Sequence, residues 1–299
     1  MSRFSDRFFS LGLMTLATLS PGAVHASIFE VFACAPLTGA CQNTPLSDPT
    51  GPLLATALDP TPGNLAQAGI GGNLGHVSGG ARVAVSVSND TDFYIAVDGN
   101  IAQAGSRWMD GWIISSPALT GLPGTLSASV VVDADSLVSL NATTPPGLNA
   151  LATAGWSFRV DGGGFNLVNT TGGRQIDEAG NITSFGDPGT FNFQVDFVYG
   201  QQIDWDIIFV ATSHVGGWAA EGGGLAGTAE VLFQNTIQWM GISSVLDANG
   251  QPVEFSLSSE SGVDWTQPVP LQAVPLPASF WLLGSGLVGL IARRYKAAR

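Results

Sequence analysis

Residues 191–212 read FNFQVDFVYGQQIDWDIIFVAT, and their period of two decides the fold class. Phe191, Phe193, Val195, Phe197 and Tyr199 share one face, as do Ile203, Trp205, Ile207 and Phe209. Such alternation marks strands with one buried face. Gly200-Gln201-Gln202 between the runs predicts a three-residue hairpin loop. Both apolar sets are odd-numbered, so an odd loop gives them a common buried side. That register sets Phe197 opposite Trp205, Val195 opposite Ile207 and Phe193 opposite Phe209. Pairs of this kind stabilise by roughly 0.2–1 kcal/mol each.

The same register opposes Asp196 to Asp206 on the outer face, with Asp204 nearby. Like charges directly opposed are destabilising, and two readings follow. One is a calcium ion held by Asp196, Asp204 and Asp206, since calcium takes several oxygen ligands, although the spacing is not that of a calcium loop. The other is a solvated acidic face. Calcium is the only cofactor these residues suggest.

Outward from this segment, alternating runs recur between Gly, Asn, Asp and Pro clusters. Residues 82–88 and 92–97 flank Asn89-Asp90-Thr91, residues 126–132 and 136–140 flank Asp133-Ala134-Asp135, and residues 243–247 and 253–258 flank Ala248-Asn249-Gly250. Each reads as a hairpin, the last most strongly because of its Asn-Gly. Residues 165–169 and 230–234 read as further strands. No long 3.6-period stripe with caps interrupts the series. Many short strands between turn signals predict an all-β body, a β-sandwich of jelly-roll-like type, over residues 27–265.

Composition agrees. The 299 residues include 39 Gly and 17 Pro, and 11% are charged, which fits neither a disordered chain nor a helical bundle. Residues 27–273 hold 22 of the 23 acidic residues but only Arg82, Arg107, Arg159 and Arg174 of the ten basic ones. Such a body repels phosphate backbones, so nucleic acid is excluded as a partner.

The ends differ from the body. Arg3 and Arg7, the apolar run 8–19, the break Pro21-Gly22 and the small residues of Val24-His25-Ala26 form a secretory signal peptide, residues 1–26, with cleavage expected before Ser27. The Sec machinery and signal peptidase are the partners this implies. Residues 266–275 form a Pro-rich linker carrying Pro268, Pro270 and Pro275. Residues 276–292 are uncharged, and Arg293, Arg294, Lys296 and Arg299 follow. Seventeen helical residues span about 25 Å against a hydrocarbon core of about 30 Å, a marginal transmembrane helix. The basic residues place the C-terminus in the cytoplasm and the body outside.

The order of short Pro motif, apolar glycine-containing helix and terminal basic cluster resembles the PEP-CTERM sorting signal. Val274, Pro275, Leu276, Pro277 and Ala278 stand in the motif position, with Leu276 in place of the commoner Glu, as in the VPLPA variant. Residues 281–291 match the helix, and Arg293, Arg294 and Lys296 the basic stop. The resemblance implies that exosortase, a membrane-embedded cysteine protease or transpeptidase of Gram-negative bacteria, acts on the tail. It implies first an inner-membrane anchor, then the cell envelope, outer surface or extracellular matrix, with exopolysaccharide or biofilm as the association. Residues 235–265, with Ser261-Gly262-Val263-Asp264-Trp265, resemble the closing strands ahead of many such tails.

Catalytic chemistry finds little support in the body. Cys34 and Cys41 read as a disulfide in an oxidising compartment. Six intervening residues fit neither a Cys-x-x-Cys redox pair nor a zinc knuckle. There is no Gly-x-Ser-x-Gly elbow, and His76 and His214 are the only histidines left after export. The glycine pattern of residues 222–227 leads into a strand rather than a helix, so it is no dinucleotide site. Trp108, Trp112, Trp156, Trp218 and Trp239 either stack on sugar rings or fill the core, and their size favours the core. The expectation is a non-enzymatic surface or matrix protein. The alternative is a carbohydrate-binding or calcium-dependent adhesive sandwich, and a hydrolase is a third.

Overall fold

The computed structural model describes residues 28–35, 40–46, 53–59, 64–88, 95–144 and 149–269. The signal peptide, the sorting motif from Val274 to Ala278, and Arg293, Arg294 and Lys296 lie outside these residues. The described chain is all-β, built from two antiparallel sheets. The first runs in the order β10 (Ile182–Phe185), β9 (Phe165–Asp177), β8 (Leu151–Gly162), β12 (Gln202–Ala219), β6 (Ile95–Ser115), β1 (Ile28–Ala35) and β2 (Ala40–Leu46), and β14 (Ser256–Ser259) pairs β6 beyond β1. The second runs β11 (Gly189–Val198), β7 (Pro123–Ala142), β13 (Gly224–Asp247), β5 (His76–Ser88), β4 (Asn64–Asn73) and β3 (Leu53–Asp59).

The pleat sends alternate side chains to opposite faces, and the sequence obeys it. Along β12, Ile203, Trp205, Ile207, Phe209 and Ala211 are buried, and residues between them are half-buried or exposed. Facing them from the second sheet are buried Phe193, Val195, Leu126, Val130 and Trp239. The two inner faces form one continuous core.

The paired faces of residues 191–212 are as expected, but their connection is not a hairpin. β11 pairs β7, with Asp196 opposite Thr125, and β12 lies between β6 and β8 in the other sheet. The turn at residues 199–201 is therefore an arch across the core. Gly200 takes φ 83° there, and its N–H donates to Ile114 O at 2.8 Å. Tyr199 exchanges backbone bonds with residues 121 and 122 of the arch from β6 to β7, at 2.9 and 3.0 Å, so the two arches stack. Hairpin and arch bury the same side chains, so alternation does not distinguish them. In the arch Phe193 faces Trp205 across the sandwich, ring centroids 5.7 Å apart, instead of sitting two same-face pairs away along a ladder, opposite Phe209.

Other connections are corrected on the same ground. β5 and β6 belong to different sheets, so among the described residues of 82–97 there is no hairpin pairing; Asn89-Asp90-Thr91 lies outside the described residues. Asp133-Ala134-Asp135 lies inside the unbroken β7, and the irregularity there is in its partner β13, between Leu232 and Thr236. At Ala248-Asn249-Gly250 a turn does form. Asp247 Oδ1 accepts from Asn249 N and Gln251 N, both at 2.8 Å, and one bridge joins Leu246 to Pro252. The chain then leaves for β6 as β14, in the first sheet. The fold also extends past Trp265, because Val269 is buried. Residues 266–269, expected as linker, are thus part of the packed body.

The arch makes a specific prediction. Directly opposed antiparallel residues have Cα atoms about 4.5–5.5 Å apart, within disulfide reach. Thr125→Cys with Asp196→Cys should therefore form a crosslink on oxidation, detected by peptide mapping. Asp196→Cys with Asp206→Cys should not, since those residues point away from each other on sheets about 10 Å apart. The opposite pattern would restore the hairpin.

Candidate functional site

The end of the sandwich from which the C-terminal tail departs carries the most unusual chemistry of the body. In the run Trp108-Met109-Asp110-Gly111-Trp112 of β6, the even positions face the core. Asp110 is thereby a carboxylate among indoles, 5% exposed. Burying a charge costs several kcal/mol unless its oxygens are satisfied, and here they are. Oδ1 accepts from Gly111 N at 2.9 Å and Ser261 N at 3.1 Å; Oδ2 accepts from Ser261 Oγ at 2.5 Å and Trp265 Nε1 at 2.6 Å.

The closing segment is shaped to deliver these donors. Glu260 N donates to Gly111 O at 3.0 Å, carrying the β14–β6 pairing one step further. Ser259 Oγ donates to Val263 O at 2.8 Å, closing a turn whose Gly262 has φ 72°. Trp265 then enters the core, and its carbonyl accepts from Trp239 Nε1 at 2.8 Å. Around it Trp112 lies 5.5 Å from Trp265, 5.3 Å from Trp239 and 4.5 Å from Trp205 by ring centroid. Asp264 caps the next turn, accepting from Thr266 N at 3.0 Å and Thr266 Oγ1 at 2.6 Å.

Beyond this point residues 266–269 lie along β13. Val269 N donates to Trp239 O at 3.1 Å, and Gln238 Nε2 donates to Val269 O at 2.9 Å. The Val269 side chain sits on Gly75 in the turn between β4 and β5, where φ is 83° and a Cβ would strike that side chain. Gly75 O accepts from Trp239 N at 2.8 Å. His76, the first residue of β5, is 3% exposed, and its Nδ1 has no hydrogen-bond partner. Burial holds its pKa below the ordinary histidine value.

The residues expected to bind metal do not converge. Asp196 projects outside the second sheet and accepts from Thr125 Oγ1 at 2.9 Å. Asp204 and Asp206 project outside the first. Asp204 accepts from Gln202 Nε2 at 2.9 Å. Asp206 receives Arg107 in a two-pronged pair at 2.9 and 2.6 Å, which raises the Arg107 pKa. The neighbouring Asp161 is pushed up by burial, against the pull of Arg159 at 2.8 Å. The Asp196 carboxylate that the hairpin register set opposite Asp206 is therefore not there; Asp161 of β8 stands opposite instead, and Arg107 of β6 pairs with Asp206 from the other side. Among the described residues no group of three or more His, Cys, Asp or Glu side chains is placed to hold a metal ion.

Cys34 and Cys41 stand directly opposite each other in the β1–β2 ladder. Of the five tryptophans weighed for sugar stacking, Trp108, Trp112, Trp156 and Trp239 are in the core, and only Trp218, 38% exposed, reaches solvent. Asp110 was not legible as a partner of Trp265 from sequence, yet a signal existed: it shares the parity of Trp108 and Trp112, so it had to face inward.

Residues 273–296 match the PEP-CTERM protein-sorting motif. The chain is thus a secreted protein sorted by exosortase and anchored at the membrane before processing. No helix of the described residues is long and apolar enough to cross a membrane, and the matched segment lies outside them. Comparison with curated proteins finds no match.

Two outcomes follow from this geometry. Asp110→Ala leaves Ser261 N and Trp265 Nε1 buried without an acceptor, and should lower unfolding stability by about 3 kcal/mol in denaturant titration. For His76, the folded pKa is depressed, so as pH falls through about 6.5 the unfolded chain takes up a proton that the folded chain refuses. Stability should therefore decline below that pH and stop declining, for this group, once the folded pKa is passed. Thermal melts at pH 8 and 5.5 should show the loss, and His76→Gln should lessen it.

Proposed function

We propose that this exosortase-sorted chain is a non-enzymatic protein of the outer surface or extracellular matrix of a Gram-negative bacterium, associated with exopolysaccharide in a biofilm. The observation that carries the reading is the sorting motif at residues 273–296, attached directly to the closing segment of an acidic β-sandwich. The groups that would otherwise suggest catalysis are occupied structurally. All four acceptor contacts of Asp110 serve the closing segment and its own neighbour. Ser213, beside His214, is fully buried and donates to Ala81 O at 2.7 Å. His76 is buried, 3% exposed. The burial of four of the five candidate tryptophans removes support from a sugar-stacking face.

A disulfide between Cys34 and Cys41 belongs to the same reading. Their opposed positions suit its Cα separation, and it would close the first hairpin of the exported body. By the chain-entropy model a loop of that size contributes about 2–3 kcal/mol.

Mass spectrometry of the protein from its native host tests both. The N-terminus should be Ser27, no peptide from Arg293 to Arg299 should remain on surface-exposed molecules, and Cys34 and Cys41 should be linked. An intact basic tail on most surface molecules would sink the exosortase reading, and free thiols would sink the disulfide.

A further inference from the structure

The sandwich holds the chain as far as Val269, and the sorting motif begins at Ala273. Only Pro270, Leu271 and Gln272 lie between them. Four Cα steps span at most about 14 Å, so the folded body stands at the threshold of the segment that the processing enzyme must grip. Two holds of different character keep it there. The inner hold is Trp265, locked by Asp110, Trp239 and the indole cluster. The outer hold is residues 266–269, fixed at its far end by Val269 N to Trp239 O, Gln238 Nε2 to Val269 O and one valine side chain on Gly75.

The outer hold can open without the inner one. None of its hydrogen bonds at Val269 involves Asp110 or Trp112, so peeling it back to Trp265 uncovers the edge of the core at Gly75 while the Asp110–Trp265 bond is left in place. The stretch between the packed body and the motif would then grow from three residues to seven, about doubling its greatest reach. Terminal segments with few buried contacts open at far lower free energy than the core they lie on.

We propose that residues 266–269 form a peelable strap that keeps the stretch of chain between the folded body and the sorting motif short, and that its release admits exosortase. The inference rests on the exosortase reading and adds the device that sets the rate of processing.

The test uses the full chain in its native host membrane. One variant inserts six Gly/Ser residues between Val269 and Pro270; another combines Gln238→Ala with Val269→Ser to release the strap. Loss of the tail is followed by pulse-chase, and limited digestion with a broad-specificity protease reports whether residues 266–269 are docked. Both variants should lose the tail faster, the strap-release variant by about tenfold for the loss of one hydrogen bond and the valine contact. Digestion should cut residues 266–269 in the strap-release variant, spare them in the wild type, and leave Trp265 protected in both. A processed wild type whose rate is unchanged or slowed by the insertion overturns the strap alone. Equal cutting of residues 266–269 in wild type and strap-release variant overturns it as well. Tail retention in the wild type and every variant overturns the exosortase reading and this inference with it.

Discussion

Trp265 joins the two sheets at one end of the sandwich through a pair of hydrogen bonds that run in series. Its indole N–H donates to Asp110 on β6 in the first sheet, and its carbonyl accepts from Trp239 on β13 in the second. Neither sheet supplies this connection by itself. A carboxylate buried among indoles is unfavourable unless saturated, so Asp110 needs Ser261 and Trp265 as much as they need it. The packing of Trp112, Trp205 and Phe193 is built against the same point. Rest of the core could tolerate hydrophobic replacement of similar volume; this position could not, because its chemistry is directional.

The second constraint is that the chain changes sheet at most of its turns. Residues 191–212 show how far a sequence can carry that kind of fold. Which side chains of Phe193, Val195, Trp205 and Ile207 face inward was legible, because a period of two fixes the face. Which strand lies beside them was not, since Thr125 and Asp161, the true neighbours of Asp196 and Asp206, are far away in sequence. The arch sends Asp196 outside one sheet and Asp206 outside the other, and Asp206 then faces a different carboxylate, Asp161 of β8. Arg107 then meets Asp206 from β6, a partner no local reading could nominate.

The tail and the body were unequally readable for a physical reason. The sorting motif is a linear signal, so its residues are adjacent and its order is its meaning. The closing clasp is assembled from Asp110, Trp239, Ser261 and Trp265, and only the last two are near one another in the chain. The tryptophans were legible as core by size alone. The aspartate was recoverable only from its parity with Trp108 and Trp112.

The separation of Asp110 from Trp265 by 155 positions has a kinetic consequence. A core sealed by contacts so distant along the chain has a high contact order, and such all-β topologies fold slowly and stay open to aggregation while they do. Export delivers the N-terminal end first, so the sheets wait with unsealed edges until the closing residues cross the membrane. Those residues are followed at once by the anchor segment. The end of the sandwich that Trp265 seals is therefore the last part of the body to reach its partners, and Asp110 waits for its acceptor contacts until nearly the whole body has been delivered.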